Sequence, residues 1–160
     1  MTKPTLQPTT YALRQYNITA PIDFDVAVNY GVALMAIAGA DGELADNELQ
    51  WFLDEQKLLL VESEEYIAAL RAADWRNIDL EEVLSKIHYD FPLNVRRAML
   101  YQAIKMCRAD KNFHEKEKRT VRRAAEILGV EAMVLASIES VIDLEESTAR
   151  LRLALLETGE

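Results

Sequence analysis

Along most of the chain, apolar positions recur at three- and four-residue spacing, the period of a helix with one face turned to a core. From Asp23 to about Ala40, Phe24, Val28, Val32, Met35 and Ile37 leave hardly a polar side. A helix there belongs at the centre of the core, with Asp23 as its cap. A second helix is expected over about Asp46 to Leu60, presenting Leu49, Phe52, Leu53, Gln56 and Leu60 on one face. Ser63 is placed to cap a third, "EEYIAALRAAD", and Asp79 with Glu82 forms a capping-box pattern that opens a fourth, "LEEVLSKIHYD". Pro92 suits the first turn of a fifth, "LNVRRAMLYQAIKMCRAD". A sixth, "EKEKRTVRRAAEIL", stops at Gly129, a left-handed cap residue. The pattern then continues from Glu131 to about Glu157, with a bend expected near Ser140–Asp143.

No segment alternates with period two, so the fold class is all-α: a compact bundle of about seven helices. Residues 1–21 are the exception. They hold three of the four Pro, are rich in Thr and Gln, and show no clear period. They read as a loose N-terminal arm with at most a helical turn in "YALRQY", docked by Tyr11, Leu13, Tyr16 and Ile18. Residues 22–160 read as one helical domain, a length sufficient for a single substantial core.

Charge and cysteine content narrow the function. A formal net charge of −9 argues against general nucleic-acid binding, which needs a basic surface to displace counterions from phosphate. With Cys107 as the only cysteine, an intrachain disulfide and a thiolate-rich zinc site are excluded. The N-terminus lacks the apolar stretch of a signal peptide, and "GVALMAIAGA" is too short to span a bilayer. A cytoplasmic protein is expected, with any membrane association made through partners.

The chain also repeats itself. At an offset of 69 residues, "IAGADGELADNELQWF" (37–52) falls on "MCRADKNFHEKEKRTV" (106–121). Asp41 matches Asp110, Leu44 matches Phe113, Asp46 matches Glu115, and Glu48 matches Glu117. The unit is a helix end, a tight turn plugged by an apolar residue, and an acid in the first turn of the next helix. Its mechanical reading is capping: Gly42 allows the turn, and a carboxylate near a helix N-terminus is favoured by the dipole. Its chemical reading is a cation site. Asp and Glu seven positions apart across a turn offer hard oxygen ligands for Ca²⁺, Mg²⁺ or Mn²⁺, with Glu43 or Asp46 as a supplementary carboxylate. A cation would also neutralise Asp41, an acid at the negative end of a helix. The loop is not an EF-hand, which needs Glu where Phe52 stands, and Glu-x-x-His pairs of di-iron bundles are absent.

At these residues the chain resembles the TerB-like tellurite-resistance family, whose domain also occurs in a membrane-anchored DnaJ-type co-chaperone. The resemblance rests on "ALMAIAGADGELADNELQWF" and "QAIKMCRADKNFHEKEKRTVRRAAEILGV" and extends over residues 23–157. It implies a bundle of about seven helices and a non-enzymatic role in resistance to tellurite and other stresses. It also implies metal binding through the turn acids and assembly into larger, partly membrane-associated complexes. Carried over by position, the ligand candidates are Asp41, Glu43 and Glu48 in the first unit, and Asp110 and Glu117 in the second. The second unit departs from the family pattern: Lys111 replaces Gly and Asn112 an acid, which puts an ammonium beside Asp110. His114, four residues after Asp110, is at most an added imidazole ligand.

Charge is divided between the two units. Residues 23–65 hold eleven acids and one base, Lys57, whereas residues 96–123 hold ten bases and three acids. The acidic half concentrates cations. The basic face, with Arg96, Arg97, Lys116, Arg119, Arg122 and Arg123, suits an acidic protein partner or an anionic membrane surface. A helix-turn-helix reader of DNA is disfavoured by the acidic start of "EKEKRTVRRAAEI".

Other residues read as structure. Cys107 lies in an apolar helical pattern and reads as a buried small hydrophobe. His88 and His114 form no Ser/His/Asp arrangement. Trp51 and Trp75 pack or anchor a partner, and Leu144, Leu151 and Leu155 form a stripe that suits the core or a homodimer equally. The sequence thus points to a non-enzymatic stress-response protein with a divalent cation at Asp41 and Glu48, aided by Glu43 or Asp46. Asp110 and Glu117 are a degraded copy or part of the same site. The alternatives are a pure interaction module and, third, a hydrolase using the carboxylates as acid and base.

Overall fold

The computed structural model describes residues 5–109 and 115–157. Among these are eight α-helices: α1 (Thr10–Tyr16), α2 (Phe24–Ala38), α3 (Asp46–Leu59), α4 (Glu64–Ala72), α5 (Leu80–Asp90), α6 (Leu93–Arg108), α7 (Glu115–Leu128) and α8 (Ala132–Leu156). A 3₁₀ turn at Trp75–Asn77 separates α4 from α5.

Helix α2 is the axis of the bundle and packs against α4, α5, α6 and α7. Ala33, Leu34, Met35, Ile37 and Ala38 are all but inaccessible, as a helix apolar on nearly every side requires. Gly31 lets α4 approach closely: a Cβ there would collide with the side chain of Leu70. Around this axis runs a buried chain of polar groups. The Tyr66 hydroxyl donates to Gln56 Oε1 at 2.9 Å. Gln56 Nε2 and the Tyr30 hydroxyl both donate to Gln102 Oε1, at 3.2 and 3.1 Å.

Residues 5–23 are not the loose arm that their composition suggests. β1 (Thr5–Leu6) pairs antiparallel with β2 (Ile22–Asp23), and α1 lies between them. Thr9 N donates to Leu59 O and Val61 N to Gln7 O, both at 2.9 Å, which stitches the arm to the end of α3. Leu6, Ala12, Tyr16 and Ile18 are buried, whereas Leu13, expected as a docking residue, is 47% exposed. An apolar cavity of about 30 Å³ lies beneath, lined by Ala12, Ile18, Tyr66 and Gln102 among others. Two-residue strands are too short to carry a period, so tertiary pairing overrides the local signal.

Some end signals also work differently. Asp79 accepts from Glu82 N, as its pattern predicts. Asp23 and Ser63 make no side-chain cap bond; Asp23 pairs with Thr5 through the backbone instead. Helix α8 continues unbroken through Ser140–Asp143, where a bend was expected.

Candidate metal centre

The turn after α2 is shaped by Gly42, whose φ of +100° favours glycine. Gly42 N closes it on Gly39 O at 2.9 Å. Leu44 packs against the core from within the turn. Asp41 is exposed, and its Oδ1 accepts from Glu43 N at 3.1 Å, so a local bond and water offset its unfavourable place after a helix. Three residues into α3, Glu48 turns back and its Oε1 accepts from Ala45 N at 3.0 Å.

The first turns of α3 and α7 meet through Glu48 and Glu117. Asn47 Nδ2 donates to Ala109 O at 3.0 Å, tying the start of α3 to the end of α6. Glu48 from the first turn of α3, Glu117 from the first turn of α7 and Cys107 from the last turn of α6 converge. One ligand atom of each lies within 4.8 Å of the others. All three are buried, at 4%, 1% and 0% exposure. Burial pushes the Cys107 thiol well above its ordinary range. The charge of Glu117, a hydrogen bond with it, and the charges of Glu48 and Asp41 push it further the same way. Asp41 therefore lies near enough to add to the negative field of the cluster.

The remaining candidates are placed differently. Glu43 and Asp46 are exposed on the turn and the first residue of α3, outside the cluster. Asp110 and His114 lie outside the described residues. Cys107 is the member that sequence reading missed, because residues 48, 107 and 117 form no spacing motif. A signal existed: at the offset of 69, Cys107 falls on Ala38, itself fully buried beside the first turn.

A third buried acid, Glu55, was also missed. Its carboxylate accepts from the Tyr11 hydroxyl at 2.8 Å and from the Tyr16 hydroxyl. This holds the arm rather than a ligand. On the basic side, Arg97, Lys116, Arg119, Arg122 and Arg123 are exposed, and Arg123 pairs with Glu81 and Glu126. Arg96 turns inward. Its Nη1 donates to Leu128 O at 2.9 Å and lies 2.9 Å from His88 Nδ1, placing a cation at the negative end of α7. Trp51 and Trp75 pack against the core, with the Arg76 guanidinium 4.4 Å above the Trp75 ring.

No curated protein matches the chain. A solved structure does: a tellurite resistance protein from Nostoc punctiforme PCC 73102. It superposes with a TM-score of 0.74 at 24% identity, over 94% of this chain and 92% of that one. At that identity the likeness is one of fold. The family model described as tellurite resistance protein TerB matches residues 54–140, a span that includes Cys107 and Glu117. More than half of the sequence lies within that match, and the chain belongs to the TerB family.

Proposed function

We propose that the protein is a non-enzymatic stress-response protein that holds one divalent cation between the starts of α3 and α7 and meets partners through its basic face. The observation that carries this reading is the convergence of Glu48 and Glu117, one from each repeated turn, within 4.8 Å of each other and of Cys107. Carboxylates so close and so buried repel one another, and a cation between them converts that repulsion into attraction. The donor set fits. Two carboxylates supply hard oxygens for Ca²⁺, Mg²⁺ or Mn²⁺, while the sulfur of Cys107 adds affinity for a softer ion such as Zn²⁺. A sulfur ligand must lose its proton, which burial opposes, so a hard ion held by oxygens needs less from the site. Asp41, Glu43 and Asp46 act in this reading as further carboxylates that raise the local negative potential.

The interaction-module reading is favoured by one bond, that of Glu48 Oε1 with Ala45 N. This bond is a cap and needs no metal. It occupies one lone pair of one oxygen, so capping and ligation are compatible.

Thermal melts of chelator-treated protein separate the two. An ion at about a hundred times its dissociation constant stabilises the fold by roughly 2.7 kcal/mol. One of Ca²⁺, Mg²⁺, Mn²⁺ or Zn²⁺ is expected to raise the melting temperature, and Glu117→Gln to abolish that rise while leaving the apo protein folded. No response to any of the four ions would leave the acids as caps.

A further inference from the structure

We propose that α8 is the interface of an antiparallel homodimer, in which it pairs with α8 of a second copy of this chain. Val141, Leu144, Thr148, Leu151 and Leu155 alternate at spacings of three and four, the seam spacing of paired helices. Their apolar members are 48%, 67%, 63% and 65% exposed. They lie on the side of α8 away from the fully buried Ile142, which faces the body. Beyond Ala149 the helix is exposed on every side. Leu153 and Leu156 are 53% and 74% exposed there, so the last turns project past the body. A soluble protein rarely leaves so continuous an apolar surface to water.

Charge selects a second copy as the occupant and fixes its direction. One edge of the seam carries Glu145 and Arg152; the other carries Ser140, Ser147 and Ala154. Antiparallel pairing brings like edges together. With Leu144 layered on Leu155 of the second copy, and Thr148 on its Leu151, the two-fold axis passes beside Ala149 and Arg150. Glu145 then faces Arg152 across the axis, and symmetry repeats the pair. Parallel pairing would set the charged edge against the uncharged one and gain neither contact. The Tyr101 hydroxyl already donates to Glu145 Oε1 at 2.6 Å, which orients the carboxylate without using its second oxygen. The seam is short, so the dimer is expected to be weak and concentration-dependent.

Sedimentation velocity over roughly a hundredfold range of concentration tests this. The wild type is expected to move between monomer and dimer. Leu151→Glu, at an exposed position, should keep its helical circular dichroism and weaken association at least about tenfold. Arg152→Glu should weaken it by like-charge contact, and the swap Glu145→Arg with Arg152→Glu should restore it. Tyr101→Phe, which removes only the bond to Glu145, should leave it unchanged. A monomer throughout the range overturns the proposal, including one whose α8 instead binds lipid vesicles. So does a dimer indifferent to Leu151→Glu. A loss on Arg152→Glu that the swap fails to rescue overturns the antiparallel arrangement.

Discussion

At the scale of single residues, Cys107 and the buried tyrosines make stability depend on alkaline pH. Burial, the largest cause in each case, pushes the Cys107 thiol up from its ordinary 9.0 and the Tyr16, Tyr30 and Tyr66 hydroxyls up from 10.0. The folded chain keeps these protons where the unfolded chain releases them. Their contribution is therefore complete below about pH 9 and is lost as pH rises, at about 1.4 kcal/mol per pH unit for each fully linked group. Urea denaturation should give a stability unaffected by these groups at pH 7–8, falling above 9 and more steeply above 10. A stability constant to pH 11 would contradict the burial of these groups. Residue by residue, the sequence exposes the acids but not their surroundings. Glu48 and Glu117 are legible as first-turn carboxylates, yet their burial against a thiol arises only when α6 and α7 fold beside α3.

At the scale of elements, the helices were legible because each buries one continuous face, and a period of 3.6 survives without knowledge of neighbours. The N-terminal arm was not. Its α1 is a seven-residue helix whose Ala12 and Tyr16 meet groups distant in sequence. Two of its tyrosines hold Glu55, which no local pattern distinguishes from the other acids of α3. Tyr16→Phe should cost about 1–3 kcal/mol by weakening the satisfaction of a buried carboxylate. Removing residues 1–21 takes both hydroxyls from Glu55 and uncovers the cavity at Tyr66 and Gln102. The loss should be at least about 3 kcal/mol, read as a lowered urea midpoint. An unchanged midpoint would mean that the arm is the loose segment its composition suggests.

At the scale of the whole molecule, charge is segregated: acids dominate residues 23–65 and bases residues 96–123. On α7, Lys116, Arg119 and Arg123 face away from the buried Val121 and Ala124. If this face meets an anionic surface, vesicles rich in acidic lipid should retain the protein at low ionic strength and release it at high, as screening requires. Arg119→Glu with Arg122→Glu should abolish retention; binding that ignores salt and both substitutions would remove the basic face from the account. No described helix is long and apolar enough to cross a membrane. Within this layout the starts of α3 and α7, acidic in both, converge at Glu48 and Glu117, where the cation is proposed. Isothermal titration calorimetry of chelator-treated protein tests that claim most directly, with wild type, Glu48→Gln and Glu117→Gln titrated in parallel. One divalent ion should bind per chain of the wild type, with binding lost in both variants. Heat of binding that is absent for every ion, or unchanged in the two variants, would contradict it.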